Sequence, residues 1–313
     1  MRDKHTTSIV AAAAVLSFLL LAGCRELPGK EAADQQLEQA IGNENEDRSF
    51  GDAIKETIDG VAADAQQAVT DSAIQLADQA MADGVQTELS SSAAIGSVTK
   101  LTVDNPAGGI KVVAGSGDQL LVKAIITDHE PDPKQNWVDE ARIFIKSNGN
   151  ESQISVHPQS SPNADLWKWV NKQTGDSNFT ITYEIQVPDQ VTAFTLSNNV
   201  GSVELRGLSG TFDITDNVGN ITLQEAVITG NSRIVSNTGK IALDMRGIDK
   251  NASLKAKTNV GSISAEMAPE LSYTLKASSE LGRISGTAKG TQDVNGGGPL
   301  IELNSQVGSI SVQ

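Results

Sequence analysis

Six glycines return in one sequence context near the C-terminus: Gly201, Gly219, Gly239, Gly261, Gly282 and Gly308, spaced 18, 20, 22, 21 and 26 residues apart. Two positions before them stand Asn199, Asn217, Asn237, Asn259, Glu280 and Gln306. Two positions after stand Val203, Ile221, Ile241, Ile263, Ile284 and Ile310. Apolar residues also recur five before the glycine (Leu196, Ile214, Ile234, Ala256, Ala277, Leu303) and, in most repeats, four after it (Leu205, Leu223, Leu243, Ala265, Val312). Apolar positions two apart make a half-buried strand, so each repeat reads as two short strands meeting at an Asn-x-Gly corner. Gly and Asn tolerate the left-handed backbone a sharp corner needs.

One such unit cannot fold alone. About four inward side chains contribute roughly 1.5–3 kcal/mol each, whereas ordering some twenty residues costs about 1–2 kcal/mol per residue. The units must therefore stack into a shared core. The expected fold is all-β, a β-solenoid of short stacked strands, in which Asn199, Asn217, Asn237 and Asn259 can align as a ladder of amides. A β-sandwich of regular hairpins also spaces strands evenly, but its turns have no need of similar corner residues in register. Gly286 and Glu280 break the pattern, so the fifth unit is expected to be distorted. The scarcity of aromatics (4%) alongside 28 glycines also suits thin, repetitive β structure.

The start of the chain has a different character. Arg2 and Lys4 precede an apolar run from Ile9 to Leu21, too short for a helix that crosses a bilayer but suited to an export signal. It closes on Leu21-Ala22-Gly23-Cys24, which resembles the bacterial lipobox. The resemblance implies cleavage after residue 23 and a diacylglycerol thioether on Cys24, giving a lipoprotein held on the extracytoplasmic face of a bacterial membrane, in the cell envelope. Cys24 is the chain's one cysteine, so no intrachain disulfide forms.

Residues 24–95 read as an acidic stalk, helical or disordered. Ile54, Ile58, Val61, Ala65, Val69, Ala73, Leu76 and Ala80 follow a helical period, and Gly84 fits a helix end. The stripe is thin and alanine-rich. A spacer, a helix that docks on the solenoid or self-associates, and an exposed tether all remain open.

Residues 96–313 form the expected β domain. Leu101 to Val112 resembles a degenerate repeat, and Leu120, Val122, Ala124 and Ile126 alternate as a strand. Residues 128–178 interrupt the pattern with four prolines and all three tryptophans, Trp137, Trp167 and Trp169. Alternation resumes at Phe179 and runs to Val187, before Pro188. The Tyr183-Glu184-Ile185-Gln186-Val187-Pro188 lead-in to Asn-x-Gly-x-Ile repeats resembles the putative-adhesin domain family of bacterial envelope proteins, over roughly 96–313. The resemblance implies a β-solenoid at the cell surface, no catalytic residues, and links to adhesion or envelope-stress systems.

The net charge of −15 disfavours nucleic acid as a partner. His129 lies among Asp128, Glu130 and Asp132, but Pro131 and Pro133 mark a solvated turn, so no metal is expected. Side chains flanking the corners (Ser202, Asn220, Lys240, Ser262, Arg283, Ser309, then Glu204, Thr222, Ala242, Ser264, Ser285, Ser311) offer no acid–base pair. Trp137, Trp167 and Trp169 are the candidate ligand-stacking residues, since Trp167 and Trp169, two apart, would share a face of a strand and could stack on sugars; the reading preferred over binding is that the tryptophans close one end of the solenoid. The leading expectation is a non-enzymatic surface module, without cofactor, that touches the membrane through its lipid and binds cell-wall glycan or an envelope protein. The alternatives are an accessory of envelope-stress signalling acting through protein contacts and, third, a polysaccharide-cleaving enzyme.

Overall fold

The computed structural model describes residues 84–130 and 137–313. The export signal, Cys24 and the periodic stripe at 54–80 lie outside the described residues.

Twenty strands run in chain order: β1 (Val85–Ala94), β2 (Lys100–Asn105), β3 (Ile110–Ala114), β4 (Gln119–Asp128), β5 (Ala141–Asn148), β6 (Glu151–Pro158), β7 (Phe179–Val187), β8 (Ala193–Val200), β9 (Val203–Arg206) and β10 (Ser209–Val218). They continue as β11 (Ile221–Ile228), β12 (Asn231–Thr238), β13 (Ile241–Ile248), β14 (Ser253–Val260), β15 (Ile263–Met267), β16 (Tyr273–Leu281), β17 (Ile284–Ser285), β18 (Gly290–Val294), β19 (Leu300–Val307) and β20 (Ile310–Val312). A 3₁₀ turn (Trp137–Glu140) precedes β5, and one α-helix, α1 (Leu166–Thr174), precedes β7.

The strands form two faces that enclose one apolar core. Face A runs β1-β4-β7-β3-β9-β11-β13-β15-β20-β17. Face B runs β5-β6-β2-β8-β10-β12-β14-β19-β16-β18. A two-residue pairing of Ser209–Gly210 with Val227–Ile228 joins them. The central pairings are parallel and in register, so Leu205 lies beside Leu223, Leu223 beside Leu243, and Ala265 beside Val312. This is the stacked solenoid the repeat demands. Phe194 and Phe212, in adjacent rungs, stack at 5.2 Å with ring planes 9° apart.

Chain order and stacking order differ at both ends. The β2/β3 rung sits between β6/β7 and β8/β9. Likewise, the last rung in sequence, β19/β20, sits between β14/β15 and β16/β17. The C-terminal strand is therefore interior. The antiparallel strands β1 and β4, β5, and β18 cover the ends.

Two boundaries move relative to the sequence reading. Residues 85–94, assigned there to the stalk, form β1 and pair with β4 along their whole length. Only Leu89 is a large apolar side chain on its inward side, so the alternation Thr87, Leu89, Ser91, Ala93 is faint. The segment 128–178, read as an irregular insertion, contributes the β5–β6 hairpin, and β6 pairs in parallel with β2 as a full rung member.

Candidate functional site

The corners are built as a column. Each corner N–H donates to a carbonyl of the next rung: Gly108 to Val200, Gly201 to Val218, Gly219 to Thr238, Gly239 to Val260, Gly261 to Val307 and Gly308 to Leu281, at 2.8–2.9 Å. The corners pack so closely that a Cβ on Gly201 would lie 1.9 Å from the Gly108 carbonyl oxygen, and one on Gly261 would lie 2.0 Å from that of Gly239. Gly282 and Gly308 belong to the same column, with Gly308 placed between Gly261 and Gly282. The asparagine ladder is present: Asn217 donates to Asn199 at 2.6 Å, Asn237 to Asn217 at 2.6 Å, and Asn259 to Asn237 at 3.0 Å.

A second column, one residue earlier, is buried and polar: Asn105, Asn198, Asp216, Ser236, Thr258, Ser305 and Ser279. Ser236, Thr258, Ser305 and Ser279 donate to the carbonyls of Gly219, Gly239, Gly261 and Gly308 respectively. Asn105 and Asn198 donate to Asn198 and Asp216. The glycine carbonyls at these sharp bends thus gain partners inside the core, where an unmet carbonyl is costly.

With corners and core committed to packing, a ligand would meet an outer side, and the outer side of face A is one on which depressions open. Strand register carries one row of outward side chains across all ten strands: Ser90, Lys123, Glu184, Lys111, Glu204, Thr222, Ala242, Ser264, Ser311 and Ser285. At about 4.8 Å per strand the row is roughly 43 Å long. Two depressions open along it. One, of about 410 Å³, lies over Thr222, Ala242, Ser264 and Ser311. The other, of about 680 Å³, lies over Ser90, Lys111, Lys123 and Glu184.

The half toward β1 alternates in charge. Lys123 bridges Glu88 at 2.8 Å and Glu184 at 3.8 Å, and the hydrogen bond it donates to Glu88 raises its pKa above the ordinary value. The other half has small side chains as its floor, bordered by Arg206, Glu225 and Asp244. At that border β11 carries a bulge, where the pairing with β13 shifts between Leu223 and Ala226. Glu225 occupies the bulge at φ 53°, a region where non-glycine residues are strained. Its carboxylate meets Arg206 at 3.6 Å and Arg246 at 3.7 Å, and its N–H donates to Asp244. Neither depression is lined by histidine or cysteine. The outer surface of face B is crossed by ion pairs as well, Arg233–Asp213, Lys255–Glu302 and Lys276–Glu302.

The three tryptophans lie away from this row. Trp167 and Trp169 are on α1, which Asp165 caps by accepting from the Lys168 N–H, and not on a strand as the period-two reading required. Two positions apart on a helix point in different directions, so they do not share a face. Trp137 is buried, donates to Asp128 at 3.0 Å and packs its ring 4.5 Å from Phe179. Trp167 stacks on the same phenylalanine at 4.8 Å. His157 donates to the Ala164 carbonyl at 2.7 Å, and Asp128 accepts from Trp137 and the Glu130 N–H. No group of three or more His, Cys, Asp or Glu among the described residues could hold a metal ion. None of their helices is long and apolar enough to cross a membrane.

Comparison with known proteins places residues 180–296 in a match to the Toastrack DUF4097 family model. The match lies within the 96–313 span whose repeats carried the resemblance. Solved structures to which the chain is similar include a "putative cell adhesion protein" from Clostridium sporogenes, 14% identical over 73% of this chain and 99% of that one, TM-score 0.42. Another is a "putative adhesin" from Bacteroides fragilis, 14% identical over 72% and 97%, TM-score 0.33. A third is a "putative lipid binding protein" from Parabacteroides distasonis, 12% identical over 72% and 97%, TM-score 0.26. Likeness at this level carries no argument about ligand. No curated protein matches the chain.

Proposed function

We propose that this chain is a non-enzymatic surface module, held to a bacterial membrane by lipid on Cys24, that binds an extended cell-wall glycan along the outer side of face A. One observation carries the reading: a single register row crosses ten strands and opens into two shallow depressions floored by hydroxyl, amine and carboxylate groups. A rigid row of donors and acceptors at strand spacing suits a long, hydroxyl-rich polymer lying across the strands. The row's charges (Lys123, Glu184, Lys111, Glu204) balance, which favours a ligand of low net charge over a polyanion. The strained Glu225, paired with Arg206 and Arg246, borders the depression over Thr222.

The test is sedimentation of the full chain with purified peptidoglycan, against Ala242→Trp and Ser264→Trp. Both positions are outward-facing, so these rings fill the floor and leave the core intact. The expected result is at least a tenfold loss of binding in each. Undiminished binding by both variants, or no binding by the parent chain, refutes the reading. The anchor is tested separately: Cys24→Ser is expected to move the protein from the membrane to the soluble fraction, and retention in the membrane refutes lipidation there.

A further inference from the structure

On the glycan reading above, on which this subsite depends, we infer that Arg206 and Arg246 form a carboxylate subsite beside the depression over Thr222. Glu225 occupies it as a stand-in that gives way to a carboxylate on the ligand. Glu225 is a residue the fold has little reason to place here. On β11, Gln224 and Glu225 together oppose Asp244 of β13, because the pairing passes from Leu223–Leu243 to Ala226–Met245. A bulge residue in the left-handed region is ordinarily glycine, yet Glu225 stands there at φ 53°. Elsewhere among the described residues a positive φ falls on glycine or on Asn295. Asparagine tolerates that region, and the Asn295 amide donates to the carbonyls of Pro269 and Leu271, which offsets its strain. Glu225 gains less. Its carboxylate meets Arg206 Nε at 3.6 Å and Arg246 Nη2 at 3.7 Å, longer than the about 2.7–2.9 Å of a close charge-assisted hydrogen bond. The three side chains are 46–66% exposed, and ion pairs so open to water contribute little. The bond from its N–H to Asp244 is one that glycine would make equally well. Strain held by such weak contacts is a mark of function, and bulges re-aim side chains beside active sites.

The contacts name the ligand chemistry. Arg206 is on β9 and Arg246 on β13, the strands on either side of β11. One Glu225 oxygen meets each of them, so the space between the two guanidinium groups is one carboxylate wide. Each guanidinium touches Glu225 through a single nitrogen, whereas its planar fork is suited to grip a carboxylate through two. Asp244 and Glu266, side by side on β13 and β15, border the same depression. They repel a run of negative charge, so the subsite takes one carboxylate and disfavours a polyanion. With Glu225 turned away, that carboxylate replaces it charge for charge. Two sources share this chemistry: a uronic-acid unit of the polymer, and the free carboxyl of a peptide attached to it.

The experiment is isothermal titration of the full chain with two matched pairs of probes. One pair is a neutral glucose trisaccharide and the same trisaccharide with one unit oxidised to a uronate. The other is an acetylated dipeptide with a free carboxyl and its amide. Parent, Glu225→Gly and the double variant Arg206→Gln/Arg246→Gln are compared. The expected result is a preference for the carboxylate form that is at least fivefold greater in Glu225→Gly than in the parent and absent from the double variant. The urea midpoint of Glu225→Gly is expected to be no lower than the parent's. A preference shown by the trisaccharides assigns the carboxylate to a uronate unit, and one shown by the dipeptides alone assigns it to an attached peptide. Trisaccharide binding without any carboxylate preference in Glu225→Gly overturns the subsite and leaves the glycan reading standing. A lowered midpoint, which makes Glu225 a structural part of the bulge, also overturns it. Failure of all four probes to bind any variant overturns the subsite too, and sedimentation of the parent with peptidoglycan then decides the glycan reading separately.

Discussion

Placing a methyl group on the corner column tests the fold where it is tightest. In Gly201→Ala the new Cβ would lie 1.9 Å from the Gly108 carbonyl oxygen, and the residue would keep φ near +128°. Two costs are separable. Holding a non-glycine residue at such a φ costs about 1–3 kcal/mol. The overlap costs more, because reaching an ordinary contact of ~3.2 Å moves the two corners apart by ~1.3 Å. That displacement carries the 2.9 Å bonds from Gly108 N–H to Val200 and from Ile110 N–H to Ser202 beyond hydrogen-bonding range. Two bonds at about 0.5–1.5 kcal/mol each, added to the backbone strain, bring the total to ~2–6 kcal/mol.

Gly117→Ala is the matched control. Gly117 has φ +108° and no atom within 4 Å of the position its new methyl would take, so it bears the strain alone, about 1–3 kcal/mol. The assay is urea unfolding of the full chain, comparing midpoints at constant slope. A gap of ~1–3 kcal/mol between the two variants is expected from the two lost bonds. Equal destabilisation by both would show that close rung contact does not require the glycines, and would refute the stacking argument.

In the amide ladder, Asn237→Ala removes both a donated and an accepted bond, whereas Asn259→Ala removes one donated bond, so urea unfolding should show about twice the loss for Asn237, on a scale of roughly 1–2 kcal/mol. On face B, the hydrogen bond from Lys276, with Lys255 alongside, holds the Glu302 carboxyl below its usual 4.5. A depressed carboxylate stabilises the fold above its unfolded pKa and loses that contribution as pH falls through the folded value. Glu302→Gln should therefore abolish a small stability decrease below about pH 4.5, worth less than about 1 kcal/mol because solvent screens the pair; an unchanged acid limb refutes it. Deleting residues 309–313 removes buried Ile310 and Val312, about 3–6 kcal/mol of apolar burial, and opens β15 and β17. Limited proteolysis should then cut within 268–299, and resistance equal to the parent's would show that the inserted rung is dispensable.

The corners and strand register are legible in the sequence because a short rung has one solution to its geometry. A sharp bend needs glycine, and apolar residues at fixed offsets define what faces inward. The stacking order is not legible. Leu303 lies beside both Ala256 and Ala277 in the structure, and its apolar pattern is compatible with either neighbour, so periodicity cannot say which rung comes next. The clue is the long gap of 26 residues between Gly282 and Gly308, which holds the β18 excursion that lets the chain double back. The buried polar column is also hidden, although Asn198, Asp216, Ser236 and Thr258 have the parity of the inward apolar positions. Polar residues at inward parity gain a meaning only once the glycine carbonyls they serve are located. Trp167 and Trp169 depart from expectation for a different reason: Asp165 and Gly175 bracket them as helix caps, but a pair two apart suggests a strand when read by itself. For the candidate site, the Ser/Thr character of the outward row is visible in the sequence, whereas the Glu225 bulge depends on a local register shift that no sequence offset announces.

The division of labour within a rung explains why a surface on this scaffold can vary without loss of fold. The bend closes through glycine, the inner polar column gives the bend's carbonyls a partner, and apolar pairs two residues apart supply burial. All of these demands fall on inward or corner positions. Outward positions on face A carry none of these demands, so Lys111 next to Glu184 and Ala242 next to Ser264 are both admissible. A row of such positions can be rewritten residue by residue to suit a different polymer. The same freedom does not extend to the ends, because a rung without a neighbour exposes both its edge and its core. Doubling the chain back at β19/β20 removes that liability at the C-terminus, where the outermost strands shrink to two and five residues. Among the described residues, the β1/β5 end has no such insertion beyond it, and β1 and β5 each pair on one side only.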